Sequence, residues 1–196
     1  SRYWKTFYGG HHNMTEEEKE KKPPSPRLSV DEVTNLDNVD ILELCETTRV
    51  AILAHEGFNW LTPPAEKTLE SFWKSVFIIP ERTLIIARME GQIAGCCQLV
   101  RPPKNNEAGA FRGNIETFFL APWARGHNLA KTMLRKAEDV ARAQGCRTLE
   151  CHMASDQQAA IAICEWIGMD RWGIKERYAR INDVFVPGYY YSKDLD

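Results

Sequence analysis

Hydrophobic and polar positions alternate with two periods along this chain, and the places where the period changes divide it into elements. A first apolar stretch, Leu28 to Thr34, reads as a strand. A helix is expected from about Asp37 to His55, with Leu42, Cys45, Ala51, Leu53 and Ala54 as its apolar residues and Gly57 as its stop. Thr62-Pro63 is expected to open a second helix, since proline fits a first helical turn, and Pro80 ends it. Leu69, Phe72, Trp73, Val76 and Phe77 form the inner face of that helix. Thr83 to Met89 and Ile93 to Val100 flank Glu90-Gly91, the pattern of a β-hairpin.

A Pro- and Asn-rich loop from Arg101 to Gly109 leads into an interior strand, about Gly113 to Leu120. Pro122 breaks that strand, and a basic turn follows, Arg125-Gly126-His127-Asn128. A helix is expected from Arg125 to Gln144. Leu129, Ala130, Met133, Leu134, Ala137, Val140 and Ala141 make its 3.6-residue stripe, opposed by Lys131, Arg135, Glu138, Asp139 and Arg142. Arg147 to Met153 reads as a further strand. Ser155 with Gln158 predicts a capping box for a helix running to Ile167 and ending at Gly168. Two closing strands, about Arg171 to Ile181 and Val184 to Lys193, are separated by Asn182-Asp183. The order of elements predicts a mixed α/β fold of one domain over residues 27–196, with no internal repeat.

Residues 1–26 read as an arm. Tyr3, Trp4, Phe7 and Tyr8 precede Gly9-Gly10-His11-His12, and Met14 would serve as a natural start. Thr15 to Lys22 is a charge run with its own capping signal, Thr15 to Glu18, stopped by Pro23-Pro24-Ser25-Pro26.

Composition narrows the function classes. The chain has 196 residues, 43% hydrophobic and 27% charged, which suits a globular domain with a substantial core. A net charge of −2 argues against a general nucleic-acid binder. No apolar run is long enough to span a bilayer. The six cysteines form no Cys-x-x-Cys pair and read as buried, reduced thiols of a cytoplasmic protein, with Cys96 and Cys97 facing opposite sides of a strand. His55, His127 and His152 are scattered, so no metal site is expected.

The strand–turn–helix from Glu116 to Gly145 carries the candidate chemistry. A basic turn beside a helix N-terminus offers free N–H groups and the positive end of a dipole, a place suited to a phosphate or pyrophosphate. Neither the Gly-x-Gly-x-x-Gly fingerprint nor the Gly-x-x-x-x-Gly-Lys-Ser/Thr loop is present.

Four stretches in this order resemble the GNAT superfamily of acyl-CoA-dependent N-acetyltransferases. Arg125-Gly126-His127-Asn128-Leu129-Ala130 resembles that family's Arg/Gln-x-x-Gly-x-Gly/Ala turn, with Asn128 where glycine is usual. Leu120-Ala121-Pro122-Trp123-Ala124 resembles its strand end. Ala160 to Met169 resembles its last helix, with Cys164 where a tyrosine is common, and Gly188 to Leu195 resembles its closing strand. The resemblance implies a twisted mixed sheet of about seven strands flanked by about four helices. It implies acetyl-CoA as co-substrate and no metal. It also implies an enzyme that acetylates the primary amine of a small molecule by direct attack through a tetrahedral intermediate. A non-catalytic acyl-CoA-binding sensor or assembly subunit, and a peptide or protein N-terminal acetyltransferase, remain as alternatives. No nucleic-acid or membrane partner is expected, and a homodimer stays open.

Under that resemblance the N–H groups of Gly126, His127, Asn128, Leu129 and Ala130 would cradle the pyrophosphate, with Arg125 and Lys131 adding charge. Backbone groups of Phe118, Phe119 and Leu120 would hold the pantetheine arm and polarise the thioester carbonyl. Glu116 is the candidate base, a carboxylate in an otherwise apolar strand; a substrate anchor or a partner for Arg112 are the other readings. Cys164 and Tyr190 are candidate acids for the leaving thiolate, with Tyr178, Tyr189 and Tyr191 as other hydroxyls. Glu56, Phe58 and Trp60 are expected to form the acceptor pocket, a carboxylate with aromatics suited to a small cationic amine, walled by Trp73 and Trp172.

Overall fold

The computed structural model describes residues 23–196. The expectations placed on Ser1 to Lys22, including the aromatic segment and the Thr15–Glu18 box, lie outside the described residues. Among the described residues, eleven strands and helices run in the order β1 (Leu28–Val33), α1 (Asn38–Leu53), α2 (Glu66–Val76), β2 (Arg82–Met89), β3 (Gln92–Val100), β4 (Arg112–Leu120), α3 (Leu129–Ala143), β5 (Thr148–Ala154), α4 (Gln158–Trp166), β6 (Asp170–Ile181) and β7 (Val184–Asp194), with one 3₁₀ turn at Pro122–Ala124. The strands form a single seven-stranded sheet in the order β1-β2-β3-β4-β5-β7-β6. All neighbours are antiparallel except β4 and β5.

The strand alternation builds two cores, one on each face of the sheet. Leu84 and Ile86 of β2 point to the face covered by α1 and α2, together with Cys96 and Phe119. Ile85, Cys97 and Leu99 point to the other, against Leu134, Ala137 and Val140 of α3 and Ile161 and Cys164 of α4. Cys96 and Cys97 thus fall in different cores, as the period of a strand requires. All six cysteines are buried and free.

The helices differ from expectation at their ends, and each difference has a local cause. Asp37 caps α1 by accepting from the Asp40 N–H at 2.7 Å. The buried stripe of α1 is Ile41, Leu44, Cys45, Thr48, Ala51 and Ile52, whereas Leu42 and Leu53 are exposed, because helical spacing rotates them off that stripe. Helix α2 starts at Glu66, and Thr62 and Pro63 remain in the preceding link. Helix α3 starts at Leu129, because Gly126 (φ 86°) and Asn128 (φ 60°) take left-handed conformations that no α-helix contains. The expected capping box of α4 does not form: Gln157 is its N-cap without a side-chain bond, and Gln158 donates instead to the Ser155 carbonyl.

Glu138, expected on the polar face of α3, is buried and bound by Lys193 of β7 at 3.0 Å and by Arg142 at 2.7 Å. This charge cluster pins α3 to the closing strand, with Lys193 also donating to the Ile167 carbonyl.

Candidate active site

The site begins where the two parallel strands part. Pairing of β4 with β5 covers Arg112↔Thr148, Gly113↔Leu149 and Asn114↔Glu150 and then stops. Beyond Asn114 the β5-facing edge of β4 has no strand partner among the described residues, while β5 continues alone against β7 as far as Ala154↔Gly188. A cavity of about 830 Å³ opens in this wedge.

On its other edge β4 carries a bulge. Gln98 of β3 faces Glu116 and Cys96 faces Phe119, so Thr117 and Phe118 together oppose the single residue Cys97. Thr117 sits at φ 48°, an unfavourable value for a β-branched residue. It is held there by its own side chain, whose hydroxyl accepts from Gln98 Nε2 at 3.0 Å. Gln98 is fully buried, and its Oε1 accepts from Arg82 Nη1 at 2.9 Å. Arg82 Nη1 also donates to Glu116 Oε2 at 3.0 Å, and Asn114 Nδ2 donates to Glu116 Oε1 at 3.2 Å. A polar chain from Asn114 to Thr117 therefore fixes both the bulge and the Glu116 carboxylate. Nothing in the sequence flagged Thr117, Gln98 or Arg82, because their connection runs across three strands.

Glu116 lines the cavity, as expected of a base, but it is neither buried nor alone: its side chain is 37% exposed and its ion partner is Arg82, not Arg112. Phe118 also lines the cavity. Phe119 is turned into the α1–α2 core against Phe58 at 5.3 Å, and Leu120 packs toward α3 alongside Leu129 and Met133, so only their backbone groups can reach a ligand in the wedge.

The turn after β4 keeps its amides free. Among the described residues, the N–H groups from Gly126 to Lys131 meet no acceptor; the first helical bond is Thr132 N–H to the Asn128 carbonyl at 3.0 Å. Among the described residues, nothing lies within 4 Å of where a Cβ on Gly126 would stand. Six successive donors next to open space, at a helix N-terminus, fit a diphosphate. Gly126, His127 and Asn128 are exposed, Leu129 is buried, and Lys131 lies over the Trp166 ring at 4.8 Å. Arg125 is engaged elsewhere, donating to Glu56 Oε1 at 2.9 Å.

That pair corrects the acceptor expectation. The Glu56 carboxylate faces the turn rather than the cavity, because Arg125 holds it there. Phe58 and Trp60 do line the cavity, stacked on each other at 6.0 Å with Phe72 beside them. Trp73 is fully buried, donating to the Thr48 hydroxyl at 3.0 Å, and Trp172 is exposed, so neither is a wall.

Cys164 borders the cavity but is buried with its Sγ 3.2 Å from Cys151 Sγ. The hydrogen bond to Cys164, and after it burial, pushes the Cys151 thiol well up from its ordinary value. Tyr190 lies outside the cavity, stacked on His152 at 5.1 Å. The tyrosine that does line the cavity is Tyr178, whose hydroxyl is bonded to His152 Nδ1 at 2.6 Å. Burial pushes the Tyr178 phenol up to about 12. Its ring rests on the bare backbone of Gly188, where a Cβ would lie 2.1 Å from the ring. Glycine at 188 is therefore what lets Tyr178 enter. In the sequence Tyr178 is one of several hydroxyls, and its contact with Gly188 arises only where the β6–β7 register shifts between Lys175 and Ala179.

Among the described residues, no group of three or more His, Cys, Asp or Glu could hold a metal ion, and no helix is long and apolar enough to cross a membrane.

A mixed sheet whose one parallel pair splays beside a turn of free amides is an acyl-CoA acetyltransferase arrangement, and the comparisons agree. Residues 45–169 match the Acetyltransferase (GNAT) family model. An uncharacterised N-acetyltransferase in the hisH-hisA intergenic region of Azospirillum brasilense is 39% identical over 137 residues, 70% of this chain and 82% of that protein. An N-acetyltransferase from Staphylococcus aureus superposes with a TM-score of 0.74 at 15% identity, over 87% of this chain and 99% of that one. A GNAT superfamily phosphinothricin acetyltransferase from Sinorhizobium meliloti, solved with acetyl-CoA, gives 0.70 at 18% identity, over 87% and 88%. The chain belongs to the GNAT acetyltransferase family.

Proposed function

We propose that the protein transfers the acetyl group of acetyl-CoA to the primary amine of a small molecule bound in the wedge between β4 and β5. The observation that carries this reading is the end of β4–β5 pairing at Asn114, next to the unpaired amides of Gly126 to Lys131.

Each residue then has a role. The amides of Gly126 to Lys131 hold the diphosphate, with Lys131 contributing charge. The free edge of β4 from Ile115 to Leu120 pairs with the pantetheine amides. A backbone N–H near Phe119 or Leu120 donates to the thioester oxygen as negative charge develops there. Only a neutral amine has a lone pair for attack, so a proton must leave it, directly or through water. Glu116 is the carboxylate facing the cavity and accepts that proton. The departing thiolate needs a proton in return. The Tyr178 hydroxyl, held neutral by burial and bonded to His152, is the donor best placed to supply it.

Walls contributed by the 55–61 link, β4, β5, α4 and the end of β6 support a small acceptor over a peptide chain. A binding module without turnover draws on Cys164, whose thiol is buried against Cys151 rather than directed at the wedge. Release of coenzyme thiol from acetyl-CoA across a panel of amines separates these readings. Amine-dependent release supports transfer; acetyl-CoA binding without release from any amine supports the binding module.

A further inference from the structure

We propose that the acceptor carries an anionic group besides its amine, and that Arg180 holds that anion. This rests on the acetyl-transfer reading for the amine's fate, though not for its binding.

The charge lining the cavity points this way. Glu56, expected to attract a cationic amine, is held by Arg125 at 2.9 Å and is not part of the lining. The fully charged side chains that do line it are Arg82, Glu116 and Arg180, alongside His55 and His152. Arg82 and Glu116 neutralise each other at 3.0 Å. Arg180, an exposed residue of the lining, has no ion-pair partner among the described residues, so its positive charge beside the cavity is uncompensated.

Its place in the fold gives that charge a direction. Arg180 lies on β6, opposite Phe185 of β7, in the part of the hairpin that continues past the last β5–β7 pair at Ala154↔Gly188. It follows Tyr178 by two residues, and both border the cavity. Glu116 is on β4, on the other side of β5 in the sheet order. The cavity therefore has a carboxylate at its β4 wall and a free guanidinium at its hairpin wall, with Phe58, Trp60 and Phe72 also lining it. An amine attached through a short apolar stem to a carboxylate or phosphonate matches all three features. Its ammonium, the form present before deprotonation, faces Glu116. Its anion meets the planar fork of Arg180, a geometry suited to oxyanions.

The test uses matched pairs of amines: phenylalanine against phenethylamine, leucine against isoamylamine, and 2-aminoethylphosphonate against ethylamine. Thiol release from acetyl-CoA is measured for each, and binding of each is measured by calorimetry with coenzyme A supplied. The anionic member of at least one pair is expected to be favoured by about 10- to 100-fold, the span of a charge-assisted hydrogen bond. Arg180→Gln should bring that ratio near one, and Arg180→Lys should restore part of it. The phosphonate pair shows whether a carboxylate is required or any oxyanion serves. Preference for the uncharged members, a ratio that survives Arg180→Gln, or no binding of any anionic amine overturns the proposal. Discrimination in binding without thiol release leaves the Arg180 site standing and removes acetyl transfer. Release that favours the uncharged amines does the reverse.

Discussion

Arg82 Nη1 bridges the Glu116 carboxylate at 3.0 Å and the buried Gln98 amide oxygen at 2.9 Å, so one guanidinium orients the candidate base and anchors the bulge beside it. Glu116→Gln keeps the shape and removes the proton acceptor. Its kcat is expected to fall about 100-fold, the lower range of general-base contributions. The KM for acetyl-CoA should change little. A large rise in acceptor KM at unchanged kcat would make Glu116 an anchor instead. Arg82→Met should lower stability by about 1–3 kcal/mol, because buried Gln98 loses a donor. Steady-state kinetics and urea unfolding read the two effects separately.

Arg125, in the turn proposed to hold the diphosphate, is paired with Glu56 at 2.9 Å, so the proposal sets that ion pair in competition with the coenzyme. Glu56→Gln frees Arg125 to face the diphosphate. Affinity for acetyl-CoA is expected to rise about 2- to 5-fold, the equivalent of a partly exposed ion pair worth up to about 1 kcal/mol. The gain should shrink as salt screens the pair. Arg125→Gln should leave affinity unchanged or lower it. Calorimetric titration at low and high salt checks both, and an affinity that falls on Glu56→Gln contradicts the competition.

Asn128 holds a left-handed conformation at φ 60° yet its side chain makes no capping bond to α3. Its contribution is conformational. Asn128→Gly should therefore be tolerated in both stability and acetyl-CoA binding. Asn128→Ala should cost about 1–2 kcal/mol, the penalty of an L-residue with a plain Cβ in this region. Thermal unfolding of the two variants decides; equal losses would mean that the amide group itself is needed.

The pattern of the chain shows much of the fold because that information is local. The alternation in β2 and β3 places Ile85 and Cys97 in one core and Ile86 and Cys96 in the other. The 3.6-residue stripe of α3 gives most of its buried face, to which the structure adds Glu138 and from which Ala130 is half-withdrawn. The turn at Gly126 is legible for the same reason: glycine, a basic residue and a following helix are sequence neighbours. The cavity's polar residues were harder to find. Arg82, Gln98 and Thr117 meet across β2, β3 and β4, and only strand register brings them together. Glu56 was assigned to the acceptor by its aromatic neighbours, whereas its partner is 69 residues away. Tyr190 was a reasonable hydroxyl by alternation, but His152 lies stacked against it.

Tyr178 makes the pH dependence of stability testable. Its phenol stays protonated in the folded protein up to about 12, because burial penalises the anion, whereas an unfolded tyrosine ionises near ~10. Below the lower value both states hold the proton and Tyr178 contributes no slope. Above it the unfolded chain has released a proton that the folded chain keeps, so stability falls as pH rises through this window. Cys45, pushed up to about 11, and Cys97, to about 12, give slopes of the same sign starting from their own unfolded values, and both remain in a Tyr178 variant. Tyr178→Phe should lower stability by about 1 kcal/mol near neutral pH through loss of the bond to His152. Its deficit should then narrow steadily as pH is raised past ~10. Denaturant midpoints for parent and variant, followed from neutral to alkaline pH, give the comparison. Parallel curves would mean that the phenol ionises equally in both states, and the assignment of Tyr178 as a neutral proton donor in the wedge would lose its basis.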